Sequence, residues 1–356
     1  MFKINAVQLL NIISTLNAGC GNDNLNLLTQ SINIRTKGDK IQFITTDTRN
    51  YTYAMIEKPN GVEDFDIFVD CNLFTRFVNK CDYEEISFEI KDFLEVTGKG
   101  GIYKIPILEK TAEFVIPNHE LKLQEAKKVD LSKATIDTIQ SFNAPFLSKV
   151  TSSIGANYYV KGDKVYSTNN TIICEHKLNQ TFEDVMLNQR LVKILSTIKD
   201  DIITWYNHTD YNYFESSNVV VYNSNANAGK YPIEAVLGNL IQDKTKNVAV
   251  PFITLKGIME KINLFINPIQ NNAVKFIIDE DVKIQSFDDN ATDVITSANT
   301  SDKFNFTVDG MELGMVLANI KDSDIDSGYI TIISNDNVIN IYTKESVYVV
   351  GTLSED

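Results

Sequence analysis

The stretch AVQLLNIISTLNAG at residues 6–19 sets the reading of the whole chain. Leu9, Ile12, Ile13 and Leu16 recur at helical spacing, with Gln8, Asn11, Ser14 and Asn17 between them, so the segment reads as an amphipathic helix. Segments of the same kind return as LSKATIDTIQSFNAPF at 131–146 and ITLKGIMEKINLFI at 253–266, with starts 125 and 122 residues apart. A second set of helices reads DCNLFTRFVNKC at 70–81, LNQRLVKILSTIKD at 187–200 and GMELGMVLANIKD at 310–322, with starts 117 and 123 residues apart. Two independent markers with one period predict three copies of a single domain, placed at 1–120, 121–245 and 246–356.

Strand-rich stretches fill the intervals. KIQFITTDTRNYTYAMI (40–56), DKVYSTNNTIICEHKL (163–178) and DVKIQSFDDNATDVITS (281–297) follow the first helices. ISFEIKDFLEVTGKGGIYKIPIL (86–108), IITWYNHTDYNYFESSNVVVYNS (202–224) and YITIISNDNVINIYTKESVYVVGTL (329–353) follow the second. Their short β-branched and aromatic runs, separated by turns such as Gly98-Lys99-Gly100-Gly101 and Ser334-Asn335-Asp336-Asn337, predict hairpins and meanders. The fold class expected is therefore α+β, three tandem domains of two helices on antiparallel sheet. NHELKLQEAKKVD (118–130) and NLIQDKTKNVAV (239–250), where the apolar pattern fades, read as linkers.

The 356 residues are 43% hydrophobic and 22% charged, an ordinary globular balance, and no apolar run reaches 18 residues. A soluble, cytoplasmic protein without a membrane partner is expected. Cys20, Cys71, Cys81 and Cys174 show no CxxC or zinc spacing and read as reduced thiols; His119, His176 and His208 read as surface residues. The 37 asparagines, with plentiful isoleucine, would suit an AT-rich genome, such as that of a bacteriophage.

The net charge of −14 argues against a protein that coats nucleic acid by charge alone. Its distribution argues differently. The six predicted helices hold nine basic residues, Arg76, Lys80, Lys133, Arg190, Lys193, Lys199, Lys256, Lys261 and Lys321, against six acids, whereas the remainder carries −17. In 187–199 Leu187, Leu191, Ile194, Leu195 and Ile198 form the apolar stripe and Arg190 and Lys193 lie off it; in 70–81 Leu73, Phe74, Phe77, Val78 and Cys81 form the buried side. Any one such face is an ordinary solvated helix surface. Repeated across a threefold array, it suggests a shared basic surface for a polyanion, with helix 6–19 a neutral exception.

Catalytic patterns are missing: no Walker A, HExxH or GxSxG occurs, and GKGG at 98–101 reads as a turn. Acidic runs such as Asp279-Glu280-Asp281 read as loops. No cofactor, metal or catalytic residue is expected, and the chain reads as non-enzymatic.

The repeat, the helix placement and the stretches KIQFITTDTRNYTYA (40–54), GKYPIEAVL (229–237) and ESVYVVGTL (345–353) together resemble the bacterial sliding clamp family, the β subunit of DNA polymerase III. That resemblance implies a head-to-tail homodimer, a ring of six domains with helices lining the hole and sheet outside. Lining lysines and arginines would meet double-stranded DNA without reading sequence, and DNA polymerase and a clamp loader would be partners. It further implies a dimer interface at Tyr103 and Ile105 against Phe265 and Ile266, positions that read equally well as plain core.

The family's partner-peptide pocket maps onto Thr168, Asn170, Ile172, Pro232, Val236, Leu237, Val349, Val350, Gly351, Thr352 and Leu353. The chain departs from the family at TNNTIICEHKL (168–178), at GTLSED (351–356) and in NAGCGNDNLN (17–26), which lacks a loop arginine. A β-rich structural repeat of the virion type is the alternative, which needs no basic helices; a metal-dependent nuclease would need converging carboxylates.

Overall fold

The structure is a computed structural model that describes residues 2–21, 26–81, 84–98, 101–111, 114, 116, 125–150, 153–208, 210–224, 231–240, 246–296, 298–300, 302–335 and 337–354. His119 and the centre of the 98–101 turn lie outside them. The chain forms two compact units, residues 1–137 with 190–227, and residues 138–189 with 228–356. The division falls within the second predicted repeat, which thus contributes to both.

Elements are numbered along the chain. The helices are α1 (Ala6–Gly19), α2 (Leu27–Gln30), α3 (Cys71–Val78), α4 (Lys133–Asn143), α5 (Gln189–Ser196), α6 (Ile233–Gly238), α7 (Phe252–Ile262) and α8 (Gly310–Asn319). In the first unit a four-stranded sheet runs β1 (Phe2–Asn5), β6 (Glu85–Ile90), β7 (Phe93–Gly98), β8 (Gly101–Pro106). An eight-stranded sheet runs β5 (Asp66–Asp70), β2 (Ser31–Lys37), β3 (Lys40–Thr46), β4 (Asn50–Glu57), β14 (Val219–Ser224), β13 (Tyr211–Glu215), β12 (Ile202–Asn207), β9 (Lys127–Ser132). In the second unit a seven-stranded sheet runs β10 (Asn157–Thr168), β11 (Ile172–Asn188), β23 (Ser346–Gly351), β22 (Val338–Tyr342), β21 (Tyr329–Ser334), β15 (Asn247–Pro251), β19 (Asn299–Thr300). A four-stranded sheet runs β18 (Thr292–Ile295), β17 (Val282–Ser286), β16 (Ala273–Ile278), β20 (Phe304–Asp309).

The fold is α+β, and one device recurs through it. Six helices start on the residue after a strand ends: β1 into α1, β5 into α3, β9 into α4, β11 into α5, β15 into α7 and β20 into α8. The last strand residue often supplies the cap. Asn5 Oδ1 accepts from Val7 N at 2.8 Å, Asp70 Oδ1 from Leu73 N at 2.6 Å and Asp309 Oδ1 from Met311 N at 2.7 Å. Each hand-off aims one apolar helix face at the sheet it has just left. Leu9, Ile13 and Leu16 of α1 and Phe74 and Val78 of α3 are buried in the first unit; Leu255, Met259 and Ile262 of α7 and Leu313, Val316 and Leu317 of α8 are buried in the second.

The sheets run across the predicted repeat boundaries. β4 of the first repeat pairs with β14 of the second, and β11 of the second pairs with β23 of the third. In the eight-stranded sheet a cross-strand row, Lys128, Tyr206, Tyr213, Tyr222, Tyr51 and Thr46, runs from an exposed end at Lys128 to a buried one at Tyr51 and Thr46, crossing six strands and the first of these seams. Burial pushes the Tyr213 phenol up to about 12.

Several expectations are corrected. The segment KKVD, read as linker, is most of β9, an edge strand whose Lys127, Lys128 and Asp130 are exposed while Leu131 is buried; charge of that kind blunts an edge. NVAV, also read as linker, belongs to β15, with Val248 and Val250 in the core. Leu73, placed on the buried side of its helix, is 47% exposed because α3 ends at Val78 and turns only its Cys71–Phe74–Val78 face inward. Leu187 belongs to β11 rather than to a helix.

Cys20 and Cys71, read as thiols, form a disulfide with Cα atoms 6.9 Å apart. Cys20 ends α1 and Cys71 opens the neighbouring α3, a proximity that their separation of 51 residues hides. Cys81 and Cys174 are not in a disulfide. Replacing both bridged cysteines by serine, or adding a dithiol reductant, is expected to cost about 2–4 kcal/mol in guanidinium unfolding. Identical midpoints with and without reductant would show that the bond constrains nothing.

Candidate nucleic-acid interface

The nine cations that the sequence assigned to helices fall into two groups. Four are tied down. Lys133 pairs with Asp137 one turn along α4, and Lys261 pairs with Asp293 of β18. Arg190 Nε lies 3.1 Å from Asp47 Oδ2, in the turn between β3 and β4. Lys321 lies past the end of α8 with its Nζ 4.1 Å from the centroid of the Phe142 ring, and burial lowers its pKa.

The other five keep their charge available. Arg76, Lys80 and Lys193 are exposed and, among the described residues, meet no acid within ion-pair distance. Lys199 donates to the neutral Asn11 Oδ1 at 2.9 Å, and Lys256 leans over the Phe252 ring at 5.7 Å. Lys80 sits in the turn beyond α3 and Lys199 three residues past the end of α5, rather than on the predicted helices. The exposed faces of α1 (Val7, Gln8, Asn11, Ser14, Asn17) and α8 (Met311, Met315, Ala318) carry no cation. Positive charge is thus concentrated around α3 and α5, both of the first unit, where it can meet phosphate oxygens without base contacts.

The residues assigned to a peptide pocket divide by strand parity. Ile173 pairs with Val349 and Ile172 with Val350 across β11 and β23, so the two pairs face opposite sides of the sheet. Ile172 and Val350 join the main core of the second unit. Ile173 and Val349 face an apolar layer with Val236 and Leu237 of α6, joined by Tyr159, Tyr166, Met186, Tyr231, Leu240 and Tyr342. Tyr159 stacks on Tyr231 at 4.9 Å and donates to Asp184 Oδ2 at 3.0 Å; burial, then that carboxylate, pushes its phenol up to about 12. Thr168 and Asn170 shape the β10–β11 turn: Thr168 Oγ1 donates to Ile172 O at 2.9 Å, and Asn170 takes φ 84°. Pro232 is exposed at the start of α6. Gly351, Thr352 and Leu353 are half-buried, and Thr352 N and Leu353 N donate to Asn337 O and Thr307 O at 2.9 and 2.8 Å. Those two bonds fix the C-terminal run to β20 and the β21–β22 turn.

Two sheet edges expose apolar side chains. β8 ends its sheet; its Ile102 is exposed and its Tyr103, 45% exposed, packs on Phe77 at 5.0 Å, whereas Ile105 is buried at 3%. β18 ends a sheet of the second unit, and the Lys261–Asp293 pair binds it to the end of α7. Just past that helix end Leu264, Phe265 and Ile269 are 81%, 52% and 91% exposed, while Ile266 packs on the core.

Solved DNA polymerase III β subunits share this architecture from end to end. That of Thermotoga maritima matches with a TM-score of 0.85 at 11% sequence identity, over 99% of each chain. That of Borrelia burgdorferi, solved with a natural product, matches at 0.84 and 14% identity over 100% of this chain and 99% of that one. That of Pseudomonas aeruginosa matches at 0.82 and 12% over 99% of each. The chain has the sliding-clamp fold. No family model and no curated protein matches the sequence.

Within the clamp fold, sequence reasoning missed the apolar layer partners Tyr159, Ile173, Met186, Leu240 and Tyr342. Strand alternation could have separated Ile173 from Ile172, but the register between β11 and β23 lies beyond local pattern. Among the described residues no helix is long and apolar enough to cross a membrane, and no three His, Cys, Asp or Glu side chains gather as metal ligands.

Proposed function

We propose that the chain is a DNA sliding clamp, a non-catalytic processivity factor that encircles duplex DNA and tethers a polymerase. The observation that carries the reading is the end-to-end clamp fold at a TM-score of 0.85, despite 11% identity. The gathering of cations without an acid partner among the described residues, at the helices and just beyond their ends, in a chain that is −14 overall supports it: Arg76, Lys80, Lys193, Lys199 and Lys256 would face the phosphates. An acidic protein held on DNA by charge alone would fall off at physiological salt; one held by a closed ring need not.

The ring is a homodimer in this reading, made by β8 of one copy adding to β18 of the next, with Tyr103 and Phe265 among the apolar contacts. Such an edge-to-edge contact is heterologous, so two of them close only if the geometry brings the second pair of edges together. The three repeats at 1–120, 121–245 and 246–356 would each supply two helices to the hole. The apolar layer around Val236, Leu237, Ile173 and Val349 would receive a short peptide of the polymerase or of the clamp loader. The whole-chain fold favours this over a stacked structural repeat.

The test is retention. Loaded protein is expected to stay on closed circular DNA through a salt wash and to leave within seconds once the circle is cut, while primer extension by its polymerase lengthens. Equal loss from circular and linear DNA would overturn the reading.

A further inference from the structure

The two seams at which repeats share a sheet are each closed by a buried polar cross-strand pair, and only one of those pairs can change its charge. In the β4–β14 seam Asn223 stands opposite Asn50, and Asn223 Nδ2 donates to Asn50 Oδ1 at 2.9 Å. The chain of contacts continues through Asn212 to Trp205 Nε1 on one side and to Asp47 on the other. The residues that meet across the strands, Asn50, Asn223 and Asn212, do not titrate.

In the β11–β23 seam the corresponding terminal pair is His176 opposite Ser346. His176 Nδ1 lies 2.7 Å from Ser346 Oγ, and Ser346 Oγ donates to Asp324 Oδ2 at 2.6 Å. Asp324 also accepts from Thr343 Oγ1 at 2.5 Å and from Glu345 N at 2.8 Å. All three members are enclosed: His176, which the sequence suggested was a surface residue, is 5% exposed, Ser346 2% and Asp324 2%. Because the serine proton goes to the carboxylate, Ser346 Oγ offers His176 a lone pair. The neutral imidazole then carries its proton on Nδ1 and leaves Nε2 bare.

Asp324, Glu345 and Lys321 set the charge field at that ring, and the elements packed around it place the following groups nearby. Asp324 faces it from the 322–324 turn, and Lys344 and Glu345 stand in the β22–β23 turn. Lys321 comes from the segment after α8, and Glu175 and Lys177 flank His176 on β11. From α4 comes Phe142, whose ring stacks on the imidazole at 3.9 Å. Lys321 already sits against that same ring at 4.1 Å, so the aromatic face offers a second cation little. Burial lowers the His176 pKa, with Asp324 and Glu345 opposing and Lys321 adding to the shift.

We propose that His176 is an acid-sensitive pin: protonation of its buried ring loosens the β11–β23 seam, while the asparagine-closed β4–β14 seam stays indifferent to pH. The sign follows from linkage. A histidine whose folded pKa is below the unfolded value of about 6.5 binds more protons when the seam is open. The seam is therefore at full strength above pH 6.5 and weakens as pH falls toward the folded pKa. One proton sets the limit, about tenfold in the opening equilibrium per pH unit.

Hydrogen exchange on the full chain between pH 7.5 and 5.0, corrected for the intrinsic exchange rate, tests it. Amides of 346–351 are expected to lose protection by up to about tenfold per unit below pH 6.5. Those of 219–223 should change less than about twofold over the same range. In His176→Gln the two seams should respond in parallel. Equal responses in the unsubstituted chain, or a selective loss that persists in His176→Gln, would overturn the proposal. Should that variant fold poorly, nitrogen NMR of the imidazole in the unsubstituted chain decides. A neutral Nδ1–H ring at pH 7 that titrates below 6.5 supports the pin, and titration at or above 6.5 rejects it.

Discussion

Changing Leu264 and Phe265 together to aspartate is expected to leave a folded chain that sediments at its single mass of 40.1 kDa and no longer stays on circular DNA. Both side chains stand in solvent just beyond α7, so the substitutions touch no core and the far-ultraviolet spectrum should be unchanged. Their cost appears only on assembly. Losing an apolar anchor at the centre of an interface costs about 2 kcal/mol or more, a factor of roughly 30 in affinity per residue. Burying two carboxylates against the apolar edge of β8 adds a desolvation penalty to that loss. A head-to-tail ring contains the contact twice, so one double substitution opens both joints. Light scattering over a dilution series reads the mass, and the wash of loaded circles reads retention. A double variant that keeps twice the chain mass would place the interface elsewhere. Ile105→Asp is the contrasting case: at 3% exposure its effect should be loss of the fold, not of the partner.

What the sequence conveyed about this fold follows from how local each determinant is. Helix positions were legible because the apolar period and the cap residue lie within one turn of each other, as in Asn5 before α1 and Asp309 before α8. Helix ends were less so. The predicted 131–146 helix stops at Asn143, where Pro145 lies in the tighter 144–146 turn. β9 passed for a linker because an edge strand needs few apolar residues, and its lysines are there to keep another edge away. Long-range partners were closed to the sequence. Nothing near His176 announces Ser346, 170 residues on, and nothing near Cys20 announces Cys71. The basic surface was half legible for the same reason. The Lys133–Asp137 pair is a local i, i+4 spacing, whereas Arg190–Asp47 and Lys261–Asp293 exist only once the chain has folded.

Paired and unpaired cations should therefore behave differently toward DNA. Reversing Arg76, Lys80 and Lys193 to glutamate should abolish stable loading at physiological salt, and neutralising them to glutamine should flatten its salt dependence. Every phosphate that a cation ceases to neutralise takes about 0.9 from the slope of log affinity against log salt, so three cations account for roughly 2.7 per chain. Lys133→Gln with Lys261→Gln removes two charges from the same set of helices, yet each of those ammonium groups already answers a carboxylate. Its slope should stay within about 0.5 of the unsubstituted value, because the freed Asp137 and Asp293 repel DNA only at a distance that salt screens. Arg190→Gln is different again: it releases Asp47, whose other oxygen contacts belong to the Asn50 network, and should lower the midpoint of thermal unfolding more than it alters the slope. Binding isotherms on a short duplex at four salt concentrations measure the three slopes, and thermal melts measure the Arg190→Gln midpoint. Slope losses of roughly 2.7 and roughly 1.8 for the triple and double glutamine variants, about 0.9 for every charge removed, would mean that the summed helix charge governs DNA binding. A loss confined to the triple variant would mean that the phosphates are met by the cations without an acid partner among the described residues, and that the pairing of each lysine matters more than its place on a helix.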